Sequence, residues 1–126
     1  MKVKVSEAKG RVLDYLVAQA MGMKIYRSKS GRWMRANYGE FNHRHGTPWF
    51  EPTRSWGYAG PIIEREWLDV TPWPNESDED LRWQCKQHDS IDCVAFGPTP
   101  LIAAMRCYVA SKLGDEVEVP DELLQS

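Results

Sequence analysis

The chain has no run approaching the ~18 consecutive apolar residues that a membrane span needs. Its opening "MKVKVSEAKG" lacks the apolar stretch of a secretory leader. The expectation is a cytoplasmic protein with no membrane role. It also lacks a C-x-x-C pair. The three cysteines, Cys85, Cys93 and Cys107, are odd in number and read as buried thiols in a reducing compartment. No glycine-rich phosphate loop occurs, and no cofactor motif stands out, so no cofactor is expected. A surplus of positive charge is missing too. With 16 Lys and Arg against 18 Asp and Glu, the net charge of −2 argues against a protein that coats duplex nucleic acid.

What remains is a chain of 126 residues, enough for one domain (1–126) with a modest core. Six tryptophans are many for this length. Aromatic residues serve cores and binding surfaces alike, so their excess assigns nothing by itself.

"KVKV" (2–5) alternates as a half-buried strand does. A helix follows, with Ser6 as N-cap, apolar residues at Val12, Leu13, Leu16, Val17 and Ala20, and Gly22 beyond its end. Gly10 weakens the first turns by about 1 kcal/mol relative to alanine, which favours a later start. From 23 to 61 no period is sustained, and the stretch reads as short strands ("MKIYRS", "RWMRANY") between ordered loops. "PIIEREWLDV" is expected to be a strand beginning at a proline. "PWPNESDEDL" reads as an acidic loop, and "RWQCKQHDSIDCVAFG" as a hairpin. In that hairpin Trp83 and Cys85 face inward on one arm, and Ile91, Cys93 and Ala95 on the other. "GPTPLIAAMRCYVASKLGDE" carries the clearest helix, with Thr99 as N-cap, Pro100 at the first helical position and Gly114 at the close. "EVEVP" then mirrors "KVKV" with glutamates in place of lysines, which favours a paired ribbon of opposite charge. The expected fold is α+β: a small, mostly antiparallel sheet packed with two helices, with long ordered aromatic-rich loops.

Three of these stretches carry a family resemblance. "GPTPLIAAMRCYVASKLGDEVEVPDEL", "WGYAGPIIERE" and "RVLDYLVAQAMG" are similar to the closing, central and N-terminal motifs of the NinX-like proteins of lambdoid phages, and they stand in the same order. The resemblance covers nearly the whole chain and implies a small phage accessory protein working in the bacterial host. It brings no activity with it. Ala59 stands where the family pattern usually has a glycine, which argues that no left-handed backbone is needed there.

The strongest functional pattern is a segregation of charge. From Lys24 to Arg54 seven Lys or Arg face two acids, interleaved with Tyr26, Trp33, Tyr38, Phe41, Trp49 and Phe50. From Ser55 to Asp92 nine acids face three bases. Cations between aromatic faces suit a stacked base and its phosphate; solvated or mutually paired segments are the plainer explanation. The residues singled out for a ligand are Arg54, Ser55, Trp56, Tyr58, the backbone at Gly60, and Arg106, which interrupts the apolar stripe of the last helix. Thr99 and the N–H groups after it could receive a phosphate, with ordinary capping the simpler role. His43 and His45 share a face of "HRH" without zinc-ligand spacing, so no metal is expected. Glu64 and Glu66, if on one strand face, stand roughly 7 Å apart, but no nucleophile or metal set accompanies them. No catalytic residue is assigned.

The reading is a non-enzymatic module for a small anionic, nucleotide-like ligand, of use in sequestering a host signalling nucleotide. The alternative is a protein-interaction module that binds and inhibits or redirects a host factor. The segregated charge is compatible with a homo-oligomer, and the acidic stretch 75–92 has no assigned role.

Overall fold

The computed structural model describes residues 1–27, 33–37, 51–74, 77–88 and 93–121, with 24–27 and 33–37 entering through backbone pairing only. The chain ends meet as the alternation of lysine and glutamate leads one to expect. Strand β1 (Lys2–Lys4) pairs antiparallel with β7 (Glu116–Glu118), placing Lys2 opposite Glu118, Val3 opposite Val117 and Lys4 opposite Glu116. The N-terminal ammonium closes the ribbon on Glu118 at 2.9 Å and Asp121 at 3.2 Å. These pairs are exposed and screened by solvent, so they add little to stability.

Ser6 does not start the first helix. Val5–Glu7 form a single 3-10 turn, and α1 runs Gly10–Ala20 from Lys9, which offers no side-chain cap. Gly10 takes φ +57°, so the glycine that weakens the helix is also what lets the chain turn into it. Leu13, Leu16 and Val17 point into the core, and Gly22 follows at φ +77°. Strands β2 (Lys24–Arg27) and β3 (Trp33–Asn37), both expected as strands, form an antiparallel pair. The basic aromatic segment between them and residue 51 otherwise lies outside the described residues, His43 and His45 included.

The largest departure is at "WGYAGPIIERE". It is not turn and strand but helix α2, Trp56–Glu66, with Pro61 inside it. Gly57, Gly60 and Pro61 weaken the helical signal locally, while Ala59, Ile62, Ile63 and Glu66 recur at helical spacing on the inward side. Pro61 and Gly57, the residue whose carbonyl it cannot bond, both lie exposed, so that carbonyl is left to water. Among the described residues there are therefore three α-helices, where two were expected. Ala59 is fully buried in ordinary helix, which accounts for an alanine there.

β4 (Leu68–Pro72), β5 (Trp83–Gln87) and β6 (Val94–Gly97) make a three-stranded antiparallel sheet, with β5 central and Cys85 between Val70 and Ala95. The hairpin is as expected, although Ile91 lies outside the described residues. Helix α3, Pro100–Leu113, crosses this sheet and also meets α1, α2 and β7. Thr99 caps it, its Oγ1 accepting the Ile102 N–H at 3.1 Å, and Gly114 ends it at φ +93°. Between 101 and 109 only Ile102 escapes full burial. At the β6–α3 junction Gly97 is required. A Cβ there would lie 2.8 Å from the Ala103 nitrogen.

The three cysteines converge under α3. Cys85 and Cys107 are buried, Cys93 is half-buried, and the Cys93 and Cys107 sulfurs lie 3.8 Å apart. Burial first, then Cys107 beside it, pushes the Cys93 thiol up to about 12. A hydrogen bond with Cys85 and burial push Cys107 up further. All three are free thiols, packed as small apolar residues and poor nucleophiles.

Candidate ligand-binding site

Because 56–66 is helical, the ligand residues chosen from sequence divide between two places. Arg54, Ser55, Trp56 and Tyr58 gather at the N-terminus of α2. Its entry is a turn in which the Glu51 carbonyl accepts the N–H groups of Arg54 (3.0 Å) and Ser55 (2.9 Å). Ser55 is the N-cap in extended backbone, but its hydroxyl makes no capping bond. Its carbonyl takes the N–H groups of Tyr58 and Ala59. Among the described residues the N–H groups of Trp56 and Gly57 have no partner, as expected of an uncapped first turn. Arg54 is exposed, and so is the Trp56 indole, at 58%. A cation, an aromatic face and the positive end of a helix dipole thus stand within three consecutive residues.

This entry is anchored from below by α1. The Asp14 carboxylate accepts the Thr53 N–H at 2.9 Å, with Pro52 and Thr53 buried beside it. Burial, only partly offset by that hydrogen bond, pushes the Asp14 carboxyl up to about 6. Among the described residues the buried Thr53 hydroxyl has no well-formed hydrogen bond. Neither Asp14 nor Thr53 is singled out by sequence pattern, since a lone aspartate on a helix reads as a solvated charge. The signal lies in its spacing from Leu13 and Val17, on the flank of the buried stripe.

The rest of the sequence-chosen set does not join this group. Gly60 lies within α2, one turn after Trp56, and a Cβ there would meet nothing within 4 Å. Arg106 is on α3 and only 2% exposed. Its Nε donates to the Ala8 carbonyl at 2.9 Å; its Nη1 donates to the Phe96 carbonyl at 2.8 Å and to Asp80 Oδ1 and Oδ2 at 3.2 and 3.3 Å. It ties the entry of α1, the end of β6 and the 3-10 turn Glu79–Leu81 to one guanidinium. Two clefts that it lines contain no residue of 51–66.

Two expectations about chemistry also resolve. Glu64 and Glu66 do not share a face. Glu64 is exposed, whereas Glu66 lies mostly covered and takes Lys112 Nζ and Arg65 Nε, each at 3.1 Å. Burial raises the Glu66 carboxyl, but the hydrogen bonds from Lys112 and Arg65 outweigh it and hold it below its ordinary value. Thr99 is the ordinary cap. Among the described residues no group of three His, Cys, Asp or Glu is arranged to hold a metal.

A family model described as "Bacteriophage P22, NinX" matches residues 4–112. The chain belongs to the NinX family. The match takes in α1, α2 and α3, hence both the α2 entry and Arg106, while β7 lies past its end. No curated protein matches the chain significantly. Among the described residues no helix is long and apolar enough to cross a membrane.

Proposed function

We propose that this NinX-family protein is a non-enzymatic binding module for a small anionic, nucleotide-like ligand, received at the N-terminus of α2. The observation that supports this most is the uncapped start of α2 between exposed Arg54 and exposed Trp56. A phosphate oxygen there accepts the Trp56 and Gly57 N–H groups and pairs with Arg54, and a base stacks on the indole. Tyr58 and Ser55 complete the rim. In a phage accessory protein working in the host cytoplasm, holding a host signalling nucleotide out of circulation is a use that fits such a module.

The test is melting temperature against a panel of nucleotides and cyclic dinucleotides. A ligand at a hundredfold excess over its Kd adds about 2.7 kcal/mol of stability. Trp56→Ala is expected to remove the shift and leave the unliganded melting curve within a degree or two, since the indole is exposed. A panel that leaves the wild-type curve unmoved ends this reading.

One observation favours a second reading, docking of a host protein. Trp67 ends α2 at φ +54° with its indole 69% exposed, a left-handed conformation that costs a non-glycine residue roughly 1–2 kcal/mol. It is held by the His88 N–H on its carbonyl (2.8 Å) and by the His88 ring 5.7 Å away. Trp67→Ala abolishing capture of one stoichiometric host protein, with no effect of nucleotides, is the outcome that selects this reading.

A further inference from the structure

Beyond the α2 entry, the buried arginine opens a different question. Arg106 donates through Nε and Nη1, yet its Nη2 has no hydrogen-bond partner among the described residues. Both Asp80 oxygens crowd onto Nη1 at 3.2 and 3.3 Å instead of forking across two nitrogens. The Asp80 side chain is itself 51% exposed. Arg106 and Asp80 together line a cleft of about 390 Å³ between the β1–β7 ribbon, the 3-10 turn, β6 and α3. That is a common size for a small-molecule pocket.

The lining narrows the chemistry of an occupant. Val5, Leu81, Val94 and Phe96 supply apolar wall. Lys4 and Arg106 supply positive charge; Asp80, Asp115 and Glu116 supply negative charge. A simple anion would bring its charge beside three carboxylates, with Arg106 already partly neutralised. A simple cation would leave the open guanidinium nitrogen unused. A ligand carrying both charged groups on one carbon satisfies both, its carboxylate on Arg106 and its ammonium on Asp80, with an apolar group against Val94 and Phe96. The neighbouring cleft of about 480 Å³ shares Arg106 and Asp80 but is walled by Glu7, Lys9, Asp78 and Glu79, with little apolar surface beyond Pro98.

We propose that the cleft over Arg106 and Asp80 binds a free α-amino acid with an apolar side chain. This site is separate from the α2 entry and independent of it. The experiment is a titration of the ¹⁵N-labelled protein with L-leucine, followed by amide shifts. Expected are saturable shifts at Leu81, Ala95 and Phe96, with a Kd of about 1 mM or tighter. L-Leucinamide and N-acetyl-L-leucine, each lacking one charge, bind at least about tenfold more weakly, and Asp80→Asn weakens L-leucine by a similar factor. Absence of saturable shifts up to about 20 mM overturns the proposal. So do blocked analogues that bind as well as L-leucine, or shifts confined to residues 54–58.

Discussion

Helices α2 and α3 touch each other, yet they exist for different reasons. α3 carries its own boundaries: Thr99 caps it, Pro100 presets its first turn and Gly114 lets the chain leave. α2 has an uncapped start, a proline inside and a tryptophan forced left-handed at its end. What holds α2 is docking, with Ala59 and Ile62 buried, Glu66 gripped by Lys112 of α3, and its entry tied to Asp14 of α1. A helix with poor local signals persists when tertiary burial stabilises one of its faces. The difference also sorts exposure: the well-terminated helix is core, and the poorly terminated one leaves its N-terminus open to solvent.

The two can be set against each other by mutation. The largest effect is expected at Arg106. Arg106→Ala strips hydrogen bonds from the Ala8 and Phe96 carbonyls and leaves a hole in the most buried part of α3, at a cost of about 3–5 kcal/mol. A urea midpoint that hardly moves would mean α3 does not depend on its arginine.

Next comes the anchor of α2. Folded Asp14 holds its proton more tightly than an ordinary carboxyl, about 6 against 3.8. Its contribution therefore favours the folded state fully below about pH 3.8 and is lost as pH rises through about 6. At pH 7 the buried charge costs on the order of 3 kcal/mol. Asp14→Asn keeps an acceptor for the Thr53 N–H, so it is expected to stabilise by about that amount at pH 7 and to lose the advantage by pH 4. Denaturant titrations at the two pH values check this, and equal effects at both would remove the ionised carboxyl from the account. Glu66 runs the opposite way, stabilising above its ordinary value and less so as pH falls through its lowered one.

The smallest effects test the helix starts directly. Thr99→Ala is expected to cost about 1 kcal/mol, because a capping bond is lost. Ser55→Ala, where no such bond exists, is expected to stay within about 0.5 kcal/mol. Comparable losses from both would erase the contrast between a capped helix and an open one.

Much of the frame is legible in the residues alone. The opposed "KVKV" and "EVEV" point to their pairing, and α3 is written in its cap, its proline and its glycine. That Cys85 and Ala95 share the inward face follows from the hairpin pattern, and the structure sets them opposite each other. Sequence and fold part where short-range and long-range signals conflict. Gly57, Gly60 and Pro61 mask the helical spacing of Ala59, Ile62, Ile63 and Glu66, so the local pattern of α2 favours turn and strand. Ser6 resembles a cap, but the left-handed Gly10 sets the true start of α1. Arg106 stands out as an interruption of an apolar stripe, which marks it as unusual without saying what it touches.

The sequence by itself determined the fold class, the charge-paired ribbon that joins the chain ends and the limits of α3, because caps, alternation and proline act over a few residues. Tertiary structure alone decided that "WGYAGPIIERE" is a helix, and that Arg54 and Trp56 flank its open end. It alone sent Arg106 into the core beside Asp80, 26 residues away in the chain. Those outcomes depend on which surfaces meet, and burying Ala59 and Ile62 or satisfying a guanidinium requires partners that no local window contains.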